Sequence, residues 1–155
     1  MSLNFPPLTL QTQNSASGMQ VFDPIRKKYF NLTPEEEVRQ SIIQLLVLYL
    51  GVPAGLIAVE RQIKYGKLKK RPDVVVFSKA SKPLMIIECK APEININQFA
   101  AHQIATYNKV LCSPFLLISN GLVHYCYRYH KHLKEYKLDT TIPDFIEMNY
   151  WAIQE

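Results

Sequence analysis

Glu88-Cys89-Lys90 sets an acid and an amine two residues apart at the close of an otherwise apolar run that begins at Leu84. Alternate side chains of an extended strand share a side, so Glu88 and Lys90 project together and Cys89 projects the other way. Burying either charge is costly unless it is paired or binds something. Asp73, directly before Val74-Val75-Val76, stands in a similar setting. If the two runs are neighbouring strands, Asp73 and Glu88 converge on one point. Two carboxylates at close range repel unless a cation lies between them, and hard oxygen ligands favour Mg²⁺. Lys90 alongside could stabilise charge developing on a phosphorane, or orient and deprotonate a water. On the residues alone, a buried ion pair between Lys90 and Glu88 or Asp73 explains the same pattern.

The elements that must position these groups are legible from their periods. Thr33 is an N-cap residue, Pro34 suits the first helical turn, and Glu36 stands where a capping box places its acid. Val38, Ile42, Leu45, Leu46 and Tyr49 then recur at helical spacing until Gly51 and Pro53 end the helix. Residues 56–63 read as a strand, Tyr65-Gly66-Lys67 as a turn, and 72–77 and 84–90 as β-branched runs covered on both faces. Residues 97–111 are helical in composition and 115–119 form another buried strand. Asn120-Gly121 is a hairpin signal leading into 122–129. Tyr125, Tyr127 and Tyr129 alternate as on the packed face of an edge strand. Residues 1–20 predict an irregular lead-in, and 21–155 a single α/β domain with a mixed central sheet flanked by helices.

Arg71-Pro72-Asp73, fourteen intervening residues and Glu88-Cys89-Lys90 resemble the PD-(D/E)xK nuclease signature. Thr33-Pro34-Glu35-Glu36, Lys70-Arg71-Pro72-Asp73, Glu88-Cys89-Lys90-Ala91-Pro92, Gln103-Ile104-Ala105-Thr106-Tyr107 and Ser119-Asn120-Gly121 narrow it. These ordered blocks, across about residues 25–130, resemble the N-terminal nuclease domain of type I restriction enzyme R (HsdR) subunits. The resemblance implies a restriction-endonuclease-like core and a Mg²⁺-dependent DNA endonuclease, with Mn²⁺ able to substitute. It makes Asp73 and Glu88 metal ligands and Lys90 the catalytic lysine. Glu36 is the expected third carboxylate, with Glu37 and Glu60 as further candidates. Gln103 and Tyr107 match a QxxxY motif whose i, i+4 spacing puts both on one helical face. Arg39, Gln40, Lys70 and Arg71 are expected to support the site or contact DNA.

The remaining composition sets the surroundings. The 155 residues carry a formal charge of +5, concentrated in Lys64, Lys67, Lys69, Lys70 and Arg71 and again in Arg128, His130, Lys131, His132, Lys134 and Lys137. Such stretches suit phosphates, or are simply solvated turns. Cys89, Cys112 and Cys126 show no zinc spacing and read as thiols in a reducing cytoplasm. No apolar run approaches the roughly 20 residues of a membrane span. The phosphate loop GxxxxGK[ST] is absent, so these residues alone do not make an ATP-driven translocase. A separate helicase, translocase or specificity subunit is the implied protein partner, and a homodimer is a second arrangement open to it. The alternative function is a nucleic-acid or protein binding module that keeps the fold without cutting.

Overall fold

A computed structural model describes residues 2–97, 102 and 112–154. The helix expected over 97–111, with Gln103 and Tyr107, falls almost wholly outside them.

Strands β1 (Thr12–Ser15), β2 (Gly18–Asp23) and β3 (Lys28–Asn31) form an antiparallel meander that delivers the chain to helix α1 (Pro34–Gln44). Two of its strands begin inside the stretch expected to be irregular. The exposed polar residues of β1 carry no apolar alternation, and it is pairing with β2 that makes them a strand. α1 starts as its sequence dictates: Thr33 accepts the Glu36 N–H at 3.1 Å, and Glu35, Glu36 and Glu37 occupy the first turn, where the helix dipole favours acids. The last turn widens into a π-helical turn, Leu45–Tyr49, before Gly51 at φ +69°. That wider turn rotates Tyr49 off the apolar stripe; it is exposed and donates its hydroxyl to Pro7 O at 2.7 Å.

The central sheet comprises β4 (Ile57–Val59), β7 (Val74–Phe77), β8 (Pro83–Cys89), β9 (Phe115–Ser119), β10 (His124–His130) and β11 (Glu135–Leu138). Between β4 and β7 the chain leaves to form a separate hairpin, β5 (Ile63–Tyr65) and β6 (Leu68–Lys70). The order is β11-β10-β9-β8-β7-β4, with β8 and β9 parallel and the other pairs antiparallel. The strand expected over 56–63 is thus two strands in different sheets, broken at Glu60, whose φ is +49°. β10 is interior, because β11 covers the edge its tyrosines were expected to form; Tyr129 and Tyr136 stack across that pair at 5.0 Å.

Each face of β7, β8 and β9 is apolar. Val74, Val76, Met85, Ile87, Phe115 and Leu117 pack on Val38 and Ile42 of α1, on Leu46 of the π-helical turn and on Met148 of helix α2 (Phe145–Gln154). Val75, Ile86, Leu116 and Ile118 pack on the other face with Ile96, Tyr125 and Tyr127. Arg128 fastens α2: its guanidinium lies 4.6 Å over the Trp151 ring and pairs with Asp139 and Glu147. No helix among the described residues is long and apolar enough to cross a membrane.

The Asn120-Gly121 turn is a tight point. Gly121 sits at φ +81°, and a Cβ there would lie 2.8 Å from Leu3 Cδ2 and 2.9 Å from Val38 Cγ2. Its carbonyl accepts the Asn4 N–H at 2.7 Å, tying the N-terminal segment over the turn. Gly121→Ala is expected to lower stability by about 1–3 kcal/mol in urea denaturation.

Candidate functional site

The apolar ladder of β7 and β8 ends at the pair Val74–Ile87, with Asp73 one residue beyond it on one strand and Glu88 one residue beyond it on the other. Asp73 Oδ2 accepts the Cys89 N–H at 2.8 Å, so the carboxylate substitutes for a ladder acceptor just before β7 begins. Cys89 and Ile87 lie in the core shared with α1, whereas Ile86 lies in the opposite one. By alternation Glu88 belongs to the side of Ile86. Burial pushes the Cys89 thiol well above its ordinary range, and the Asp73 carboxylate adds to that. Lys90 follows at the strand end, half-buried, its backbone N–H donated to Ser119 O at 2.8 Å. Asn120 braces the same corner by donating to Ile94 O and accepting from Leu122 and Val123 N–H.

The cation on Asp73 is Arg39. Its Nη2 donates to Asp73 Oδ1 at 2.7 Å and to Glu35 Oε1 at 3.2 Å, and lies 3.6 Å from Glu60 Oε1. Its Nη1 donates to Glu36 Oε2. Arg39 is only 5% exposed. Burial alone would lower its pKa, but the hydrogen bond and charge of Asp73, together with Glu36, push it above the ordinary range. Lys90 makes no ion pair among the described residues, so the buried pairing that the sequence left open is made by a different cation.

A second guanidinium extends the network. Arg26 donates to Asp23 Oδ2 at 2.6 Å, to Glu36 Oε1 at 2.6 Å and to Glu60 Oε2 at 3.1 Å, with its Cζ stacked 3.4 Å from the Phe30 ring centroid. Gln40 bridges Asp23 Oδ2 and Glu36 Oε1, both at 2.9 Å. Asp23 is fully buried and also accepts the Ile25 and Arg26 N–H groups, closing the turn after β2. Burial pushes its carboxyl up, but the bonds from Arg26 and Gln40 and the Arg26 charge outweigh that and hold it below the ordinary value of 3.8.

The sequence candidates therefore separate into groups. Asp73 stands just before β7 and is held to the end of β8 through the Cys89 N–H, while Glu88 and Lys90 flank Cys89 on that strand end. Glu36 reaches them through Arg39, with both its oxygens engaged by Arg26, Gln40 and Arg39. Glu60 joins the same cations, while Glu37 is exposed on the first turn of α1. Lys70 and Arg71 are exposed just before buried Pro72. Gln103 and Tyr107 lie outside the described residues. Asp23 and Arg26 were missed by sequence reasoning; the turn-forming Asp23-Pro24 step after an apolar strand was the available signal.

An α/β domain with a six-stranded mixed sheet and an acidic pair at adjoining strand ends has a restriction-endonuclease-like core. Residues 34–143 match the family described as type I restriction enzyme R protein N terminus, and the chain belongs to that family. A solved structure described as a fragment of an HsdR subunit of a type I restriction enzyme from Vibrio vulnificus YJ016 shares the fold, with a TM-score of 0.55 and 19% identity. The match covers 79% of this chain and 26% of that one, so this chain spans about a quarter of its solved relative. No curated protein matches it.

Removing Arg39 leaves Asp73 and Glu36 without their shared cation in a buried place. Arg39→Ala is expected to cost about 3–5 kcal/mol in chemical denaturation. For Asp23, a folded pKa below the unfolded one means stability that is present above pH about 4 and is lost as pH falls through the folded value. Asp23→Asn should therefore be less stable than the parent at pH 7, with the gap narrowing below pH about 4 in parallel denaturation curves.

Proposed function

We propose that this domain hydrolyses DNA phosphodiester bonds with Mg²⁺, Mn²⁺ being able to substitute. The observation that carries the reading is the hydrogen bond from the Cys89 N–H to Asp73 Oδ2 at 2.8 Å, which holds Asp73 against the strand end that bears Glu88 and Lys90. Mg²⁺ commonly takes one or two carboxylates and completes its shell with water and substrate phosphate oxygens, which fits this pair. Among the described residues no group of three or more ligating side chains forms a cage. The network on Arg26 and Arg39 sets five carboxylates (Asp23, Glu35, Glu36, Glu60 and Asp73) against two guanidiniums, an excess of formal negative charge that favours a further cation.

Asp73 and Glu88 would hold the ion. When bound, it supplies polarisation of the scissile phosphate and a more acidic water. Lys90 neutralises charge developing on the phosphate. Arg39 positions Asp73 through Oδ1 while Cys89 N–H holds Oδ2, and Glu36 positions Arg39 rather than acting as a ligand itself. The exposed cations from Lys64 to Arg71 lead into Asp73 and would steer the backbone of the substrate. Movement along DNA driven by ATP would need a motor from another domain or subunit.

One observation favours a second reading, a binding module that does not cut: Asp73 is already neutralised by Arg39. Plasmid cleavage separates the two. Cleavage that needs Mg²⁺ and falls at least about a hundredfold in both Asp73→Ala and Lys90→Ala would support the nuclease. DNA binding without cleavage in Mg²⁺ or Mn²⁺ would support the binding module.

A further inference from the structure

The hairpin of β5 and β6 stands directly on the site. Its excursion leaves the main sheet at Glu60 and returns at Asp73, and the Glu60 N–H donates to Asp73 O at 2.9 Å, closing the two feet on each other. Both feet also carry carboxylates on Arg39. Ile63 packs into the core on the side of the sheet to which Glu88 belongs, so the base of the hairpin is anchored there. Its two strands form a sheet of their own, β5 pairing with β6.

Its charge is one-signed. Lys64, Lys67, Lys69, Lys70 and Arg71 are all exposed, and the hairpin contains no acid. The register sets Lys64 directly across from Lys69, with Ile63 across from Lys70. Like charges facing each other across a pair of strands destabilise it. Among the described residues Lys64, Lys67, Lys69 and Arg71 make no ion pair, so nothing there offsets the repulsion. A polyanion would. A two-stranded ribbon fits the major groove of a duplex, where phosphates line both walls. Lys67 at the tip lies six residues from Asp73, a reach of at most about 20 Å.

Resting on the nucleic-acid reading above, we propose that this hairpin is the element that grips duplex DNA. In this proposal the Lys64–Lys69 pair is set in the groove, and the two feet fix its register to Asp73. The grip and the cutting groups are thereby tied at one place, and the contacts fall within about six base pairs of the scissile phosphate.

The test uses the full chain in EDTA, with a 30-base-pair duplex and a single strand of the same sequence, titrated over salt. The parent is compared with Lys64→Ala/Lys69→Ala, whose exposed sites leave the core untouched; thermal melts check that both are folded. Loss of two phosphate contacts should weaken duplex binding and make the slope of log Kobs against log salt shallower by about two. The loss on single-stranded DNA should be smaller. Unchanged duplex affinity and slope would overturn the assignment to the hairpin while leaving nucleic-acid binding intact. Equal losses on both substrates would overturn the groove. A parent that binds neither substrate would remove the functional reading itself.

Discussion

Arg39 is shared by carboxylates from three parts of the fold: Glu35 and Glu36 on its own helix, Glu60 after β4 and Asp73 before β7. None of these acids could sit so close to the others without it. Charges in contact in a poorly hydrated place repel strongly, and a guanidinium, planar and always ionised, offers donors in several directions at once. The docking of α1 on the sheet and the placing of Asp73 at the end of β7 are therefore one constraint. Arg39 Nε is a buried donor with no partner among the described residues, so some satisfaction is given up to hold the carboxylates.

Arg26 repeats the arrangement one layer further out. It ties the turn after β2 to the helix and to Glu60, and Phe30 packs on its guanidinium face. The N-terminal meander is thus joined to the site by charge as much as by apolar contact. Asp23 can stay ionised while fully buried because four donor groups converge on it.

Much of this is legible in the amino-acid sequence. The N-terminus of α1, the buried strands β7, β8 and β9 and the turn at Gly121 each carry a local signal: a cap, a doubly buried β-branched run, an Asn-Gly step. The acid and amine closing β8 were readable because an apolar strand gives a charge no local reason to be there. The split at Glu60 was not. The residues around it continue a strand-like pattern, and only the return of the chain to Asp73 makes a left-handed residue and a separate hairpin worthwhile. β11 and α2 were left unassigned because Glu135–Leu138 is mostly exposed and becomes a strand only by pairing with β10.

Side-chain period and chemical type are local properties, so the sequence by itself determined which residues bear chemistry and that Glu88 and Lys90 share a side. Which charge meets which is not local. Lys90 lies nearest Glu88 in sequence and was the cation that the residues alone left open as a partner for Glu88 or Asp73, yet the tertiary structure gives Asp73 to Arg39, thirty-four residues earlier in the chain. It likewise turns Glu36 from a free acid at a helix start into a holder of two arginines. The reason is physical: Coulomb energy depends on distance in space and on burial, and only the packing of α1 against the ends of β4 and β7 sets both.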